Sequence, residues 1–451
     1  MNGGNTIVAV STPPGEGGLG VVRMSGSQAI PIGRRLFRSA PSLGKRLRHV
    51  EYGRIMGPDG VPIDTGLAWA MTSPRTYTGE DTVEISCHGS QAVLDALLET
   101  AVAQGASIAG PGEFTRRAFC NGRLDLLQAE AVLDLIRSGS RYGIESAYGH
   151  ANGRLSDLVR RLKGDLVAAL SRVEVALDFS DEDIQFQDRT QLLAAVGGVA
   201  ERGRRLIDTF DGCRRRQVGL KIALVGRPNA GKSTLLNAFL GEERAIVTAE
   251  PGTTRDLIEG VTHWRGEPVR IVDTAGLREG SGAVEEAGIA RARVAAADAD
   301  LRLAVIDASC AWAPEDDQVM ALIQGKPAIL VLNKVDLPRR CDLPETQDLP
   351  TTEVSAISGD GLAELRDQAM ALLPRPNLLD GLGITRDRHR ECLNSMVAAA
   401  DAACRLIRGR EPEEVVAVEL QAGLGALGQM LGEDVTEDVL DRIFADFCIG
   451  K

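Results

Sequence analysis

Gly226 to Ser233 read Gly-Arg-Pro-Asn-Ala-Gly-Lys-Ser, between the apolar run LKIALV and the helical-looking STLLNAFL. Glycines at the first and sixth positions let a backbone curl until its N–H groups point inward. A helix starting at the loop's end adds its positive terminus, so the segment suits phosphate oxygens. In such a loop Lys232 would bridge the β and γ phosphates and Ser233 would hold Mg²⁺. Asn333-Lys334-Val335-Asp336 closes the run AILVL. An Asp carboxylate there can accept hydrogen bonds from N1 and N2 of guanine, donors that adenine cannot supply, so GTP is expected over ATP. Ser355-Ala356 fits a loop backing the base. Asp273-Thr274-Ala275-Gly276 follows VRIV and fits a DxxG loop, and Thr253-Thr254-Arg255-Asp256 lies where a switch segment supplies a Thr to Mg²⁺. In chain order, the phosphate loop, the switch Thr segment, the DxxG loop and Asn333-Lys334-Val335-Asp336, with Ser355-Ala356 beyond them, imply a GTPase domain.

Ras-like GTPases place a water-orienting Gln directly after DxxG, where this chain has Leu277. An apolar side chain cannot position water. An acidic residue within 278–293, an element of a partner, or a monovalent cation must do so instead. Asn229 offers a side-chain oxygen near the phosphates, suited to a K⁺ that would supply an arginine finger's charge. The same oxygen could equally serve hydrogen bonds within the loop.

These loops need a scaffold. VGLKIALVG, PVRIVDTAG, LRLAVIDAS and AILVLNKVD are nearly unbroken apolar runs of the kind buried in parallel sheets, and helical stretches separate them. The alternation predicts a doubly wound α/β domain over 216–375. Residues 1–120 carry the β-type runs TIVAV, GVVRM and TVEISC, punctuated by Gly and Pro clusters such as TPPGEGGLG, so a compact α+β domain is expected. Over 121–215, and again over 376–451, Leu, Val, Ile and Ala recur at three- and four-residue spacings. The economical architecture is a helical-bundle domain interrupted by the inserted α/β domain.

The 451 residues are 44% hydrophobic and 25% charged, a globular composition that excludes disorder as the main theme. No apolar run reaches the about 18 residues of a membrane helix, and the start MNGGNTIVAV does not read as a secretory signal. The eight Cys stand far apart with no CxxC pair, so a reduced, cytoplasmic chain is expected. With 51 Lys and Arg against 63 Asp and Glu the net charge is −12. That balance disfavours bulk nucleic-acid binding, because phosphate contacts draw on Lys and Arg. Basic clusters nevertheless remain at Arg34-Arg35 with Arg38, at Arg160-Arg161 and at Arg214-Arg215-Arg216.

Over essentially its whole length the chain resembles the tRNA uridine-5-carboxymethylaminomethyl modification GTPases, the MnmE or TrmE family. The resemblance is carried by TIVAVSTPPGEGGLGVVRMSG, by PGEFTRRAF with NGRLDLLQAEAV, by GRPNAGKST, GTTRD, DTAGLRE and NKVD, and above all by Phe447-Cys448-Ile449-Gly450-Lys451. It implies an N-terminal domain that forms a homodimer and binds a one-carbon tetrahydrofolate (5,10-methylene or 5-formyl), with Arg23, Glu80, Arg123 and Lys451 at the folate-binding positions. It implies GTP contacts from Asn229, Ala230, Gly231, Lys232, Ser233 and Thr234, and from Thr248, Ala249, Glu250, Pro251, Gly252, Thr253 and Thr254. Further contacts fall to Asp273, Thr274, Ala275, Gly276, Asn333, Lys334, Asp336, Ser355 and Ala356. Mg²⁺ would sit on Ser233 and Thr254, and K⁺ on Asn229, Thr248, Glu250 and Thr253. The water-activating glutamate corresponds to Glu285, and Cys448 to a thiol able to reach a bound folate or uridine. The implied reaction adds a carboxymethylaminomethyl or aminomethyl group to C5 of the wobble uridine of certain tRNAs. A flavin- and NADH-using partner, MnmG (GidA), is implied to complete the complex. The rival reading is a nucleotide-gated RNA or ribosome assembly switch without group transfer, which would have no use for folate.

Overall fold

The computed structural model describes residues 4–39, 43–44, 48–178, 189–241, 258–273, 296–343, 349–373, 378–379 and 382–451. The N-terminal part contains β1 (Ile7–Val10), β2 (Gly17–Ser25), α1 (Ala29–Leu36), β3 (Phe37–Arg38), β4 (Glu51–Met56), β5 (Pro62–Met71), β6 (Thr82–Gly89), α2 (Gln91–Ala103), β7 (Ser107–Ile108) and α3 (Glu113–Cys120). Its strands form one sheet in the order β3-β4-β5-β6-β2-β1-β7. Successive side chains of a strand point to opposite faces. Val8, Val22, Met24, Val83 and Ile85 therefore share a face, which α1 and α2 cover with Ile32, Leu36, Leu94 and Leu97. The register pairs Ala9 with Arg23 and Arg23 with Glu84, so these lie together on the other face. There Phe114 of α3 buries Ile7 and Ala9.

Helices α4 (Leu126–Arg137), α5 (Arg141–Ala151), α6 (Arg154–Asp178), α7 (Arg189–Asp208) and α8 (Phe210–Val218) follow. The α/β part then runs β8 (Leu220–Val225), α9 (Lys232–Gly241), β9 (Ile258–Trp264), β10 (Glu267–Asp273), β11 (Leu301–Asp307), α10 (Pro314–Ile323), β12 (Ala328–Asn333), β13 (Thr351–Val354) and α11 (Leu362–Leu372). The chain ends with α12 (Asp387–Gly409), α13 (Glu413–Leu431) and α14 (Glu437–Ala445). The second sheet has the order β13-β12-β11-β8-β10-β9 and is parallel except for the β9–β10 pair. Helices on both faces explain the continuous apolar runs. Ile222, Leu224, Leu303 and Val331 pack beneath α9 and α11, whereas Ala223, Val225, Ile306 and Leu332 pack with α10. This is the doubly wound architecture expected from the alternation, with β9 as an added antiparallel edge.

By its contacts the chain divides into two compact units. One comprises Met1–Ile136, Tyr148–Ala200 and Ser395–Lys451, the other Arg137–Ala147 and Glu201–Asn394. In the first, α6 packs against α13. Leu440 and Phe444 of α14 join Phe447 in burying Leu126, Ala129 and Leu133 of α4.

Candidate functional site

The chain leaves β8 for a strand on one side, β10, and later returns to its other side at β11. The carboxyl ends of strands at such a switch point open a crevice suited to a ligand. The loop from Gly226 to Gly231 begins there and α9 starts at Lys232. Asn229 and Gly231 adopt left-handed φ values of 63° and 93°. At Gly231 a Cβ would lie 2.2 Å from Asn333 Nδ2, so glycine is required both by conformation and by close approach. Lys232 is only 3% exposed. Its Nζ donates to Gly226 O at 2.7 Å and Arg227 O at 2.8 Å, curling the loop around the ammonium group. Burial lowers its pKa, against the opposing charge of Asp273. Ser233 Oγ donates to Asp273 Oδ2 at 2.7 Å, which joins a hydroxyl to a buried carboxylate at the end of β10.

The base end is tied to this loop. Asn333, the last residue of β12, donates from Nδ2 to Ala230 O at 2.9 Å and accepts Ala356 N on Oδ1 at 3.1 Å. Its amide thus fastens the phosphate loop to the Ser355-Ala356 loop. Lys334, at φ 69°, donates to Asn229 O at 2.8 Å and to Asp307 Oδ2 at 2.7 Å. Asp336 Oδ1 accepts Ser355 Oγ at 2.6 Å. Asp307 was not among the residues expected from the motifs. Burial pushes its carboxyl up, but bonds from Lys334 and Ser309 outweigh burial and hold it below the ordinary value. Its signal was its position, the end of a buried strand in LRLAVID, equivalent to that of Asp273 in VRIVD. Asn229 and Thr234 are exposed, and the Asn229 side chain has no hydrogen-bond partner among the described residues. Thr248, Ala249, Glu250, Pro251, Gly252, Thr253, Thr254, Thr274, Ala275, Gly276, Leu277 and Glu285 lie outside the described residues.

A second constellation occupies the open face of the N-terminal sheet. Arg23 Nε donates to Glu84 Oε1 at 2.7 Å, its NH1 donates to Gly450 O at 3.3 Å, and its guanidinium lies 5.8 Å from the Phe114 ring centre. Ser25, two residues along the same face, donates to Glu80 Oε2 at 2.8 Å. Arg117 NH1 reaches the same carboxylate at 3.2 Å. Arg123 Nε donates to Thr76 O at 3.2 Å, so it anchors the loop that carries Glu80. The last residues return to this face. Ile449 bridges Pro111, Ser11 Oγ donates to Gly450 O, and Phe114 N donates to Lys451 O. Gly450 has φ 94°, and a Cβ on it would lie 2.2 Å from Val10 O, so only glycine lets the segment approach β1. Burial lowers the pKa of Lys451, as does the charge of Arg23, with Glu84 and Cys448 opposing them. Cys448 is exposed, whereas Cys87, Cys213, Cys341, Cys392 and Cys404 are buried, so it is no small hydrophobe of a core. The structure therefore gathers Arg23, Lys451 and Cys448 around Gly450, sets Glu80 beside Ser25, and adds Glu84 and Arg117, which the sequence did not single out. Cross-strand register pairs Glu84 with Arg23, and no local pattern announces it.

Comparison with known proteins places both parts of the chain in one family. The MnmE helical domain profile matches residues 126–448, and the profile of the GTP-binding protein TrmE N-terminus matches residues 6–123. The tRNA modification GTPase MnmE of Natranaerobius thermophilus is 40% identical over 455 residues, covering 99% of each chain. That of Moorella thermoacetica is 41% identical over 463 residues, again covering 99% of each. Among solved structures, the G domain of the T. maritima FeoB iron transporter aligns at 29% identity and a TM-score of 0.27, over 34% of this chain and 98% of that one. The full-length identity and the two matched profiles decide the assignment: the chain belongs to the MnmE (TrmE) family of tRNA modification GTPases.

Proposed function

We propose that this chain hydrolyses GTP and, with a flavin-dependent partner of the MnmG kind, builds the aminomethyl or carboxymethylaminomethyl group on the wobble uridine of certain tRNAs. The observation that carries the nucleotide half is the fastening of Asp336, through Ser355 and Asn333, to a phosphate loop closed on Lys232. That arrangement holds a guanine-reading carboxylate at a set distance from a phosphate cradle. Ser233 Oγ and the Asp273 carboxylate are hard oxygens of the kind Mg²⁺ takes, one directly and the other through water. Thr254 would complete that set, and Glu285 would activate the attacking water. A K⁺ on Asn229, with Thr248, Glu250 and Thr253, would add positive charge at the phosphates when bound. GTP hydrolysis at equal ionic strength is then expected to be faster in K⁺ than in Na⁺; equal rates would remove the cation from the reading.

For the group-transfer half we assign a reduced one-carbon folate to the open sheet face. Its chemistry fits: Glu80 accepts N–H donors, as the pterin's amino-pyrimidine edge requires, and Arg23, Arg123 and Lys451 suit the anionic glutamate tail. When bound, the folate supplies the carbon. Cys448 stands exposed beside Lys451, within reach of such a ligand. Cys448→Ser is expected to keep GTP hydrolysis and folate binding while abolishing tRNA modification, measured by mass analysis of wobble uridines; undiminished modification would exclude the thiol. The same analysis on tRNA from cells lacking this chain tests the whole reading against an assembly switch, which leaves those uridines unaltered. The homodimer has support in Tyr52 and Leu67, directly opposed on β4 and β5 and 71% and 42% exposed, an apolar pair suited to a protein surface. No helix among the described residues is long and apolar enough to cross a membrane; a cytoplasmic location is part of the proposal.

A further inference from the structure

Arg117, in the first turns after Gly112 on α3, makes five side-chain hydrogen bonds beside the folate face. Its side chain is 13% exposed. NH1 donates to Glu80 Oε1 at 3.3 Å, to Glu80 Oε2 at 3.2 Å and to Asn5 O at 3.0 Å. NH2 donates to Asn5 Oδ1 at 3.0 Å and to Glu113 Oε1 at 2.8 Å. Glu113 is itself held, because its Oε2 accepts Gly110 N at 2.8 Å. The guanidinium is thus clamped on one side, leaving its other edge aimed at Glu80.

Glu80 needs such an anchor. It lies between β5 and β6, outside any strand, and a free glutamate there would sample several rotamers at an entropic cost to binding. The backbone around it is stitched by Thr76 Oγ1 donating to Glu80 O and by Glu80 N donating to Thr78 Oγ1. The carboxylate plane is set separately. Among the described residues, Oε2 takes both Ser25 Oγ, at 2.8 Å, and Arg117, whereas Oε1 takes Arg117 alone. Oε1 is therefore the oxygen with capacity left for an incoming N–H.

We propose that Arg117 is a positioning residue that turns Glu80 so that Oε1 faces the N–H donors of the folate's amino-pyrimidine edge. This rests on the folate reading above. Arg117 touches no ligand in this scheme and acts through the carboxylate alone, which separates it from a residue that merely ties Asn5 to α3.

The test is a double-mutant cycle read by calorimetric titration of 5-formyltetrahydrofolate into the full chain. Arg117→Gln and Glu80→Gln are each expected to weaken binding about tenfold or more. The double variant is expected to bind no more weakly than the poorer single one, because without the carboxylate Arg117 has nothing to orient. Arg117→Lys, which keeps the charge but not the forked geometry, should fall between wild type and Arg117→Gln. It also serves the cycle if thermal unfolding shows the Gln variant misfolded. Losses that multiply in the double variant, or undiminished binding by Arg117→Gln, overturn the positioning role. Absence of binding by the unsubstituted chain overturns the folate reading beneath it.

Discussion

Lys232→Ala is expected to reduce GTP turnover by on the order of 10²–10³-fold, the effect of deleting one preorganised charged donor aimed at transferring phosphate. The side chain opens α9 at the mouth of the β8 loop and is buried among carbonyls. Gly226 O and Arg227 O, its partners, are neutral acceptors, and a phosphate oxygen is a stronger one because it is charged. Burial already disfavours the ammonium form, as the lowered pKa records, so an incoming polyphosphate gains a cation whose hydration has been removed before it arrives. The same burial predicts a modest change in stability: deleting a charge that its surroundings disfavour offsets much of the loss of two hydrogen bonds. Phosphate-release kinetics on the purified chain, beside its thermal midpoint, check both halves. Wild-type turnover in Lys232→Ala would exclude this loop as the phosphate site.

Asp336→Asn is expected to lower guanine nucleotide affinity by roughly 10² or more, since a buried pairing left with two facing donors costs about 1–3 kcal/mol per group. Ser355 Oγ occupies Oδ1 of this carboxylate and fixes its plane. In the proposed guanine site the other oxygen would then face the base. An amide in its place would set an NH₂ donor against guanine's own N–H donors, whereas xanthine, with a carbonyl where guanine has its amino group, can accept from it. Nucleotide titrations should therefore show weakened GDP binding together with improved xanthosine diphosphate binding. A variant that binds GDP as tightly as wild type would mean that the base is read elsewhere. Asn333, by contrast, spends its amide on Ala230 and Ala356, so its substitution should loosen the loops rather than change which base is preferred.

The contrast between these two residues shows what was legible in the motifs. Asn333, Lys334 and Asp336 were recognisable together because they are contiguous and follow a buried strand. Their separate tasks were not, because the partners of Asn333 and Lys334 sit 103 and 105 residues away in the phosphate loop. Asp307 went unnoticed for the same reason: its partner Lys334 is 27 residues on, across the β11–β12 pair.

The sequence by itself determined the α/β domain, its phosphate loop and its preference for guanine. Each of these depends on residues adjacent in the chain, where strand period, glycine conformation and side-chain chemistry act locally. Only the tertiary structure decided how the open face of the N-terminal sheet is built. Ser11 and Gly450 meet across 439 positions, Arg23 finds Glu84 through strand register, and Arg117 reaches Glu80 from a helix 37 residues away. Register and helix docking are set by burying apolar faces such as Ile7, Ala9 and Phe114 against one another. The charged residues carried along by that packing leave no local trace of where they will meet.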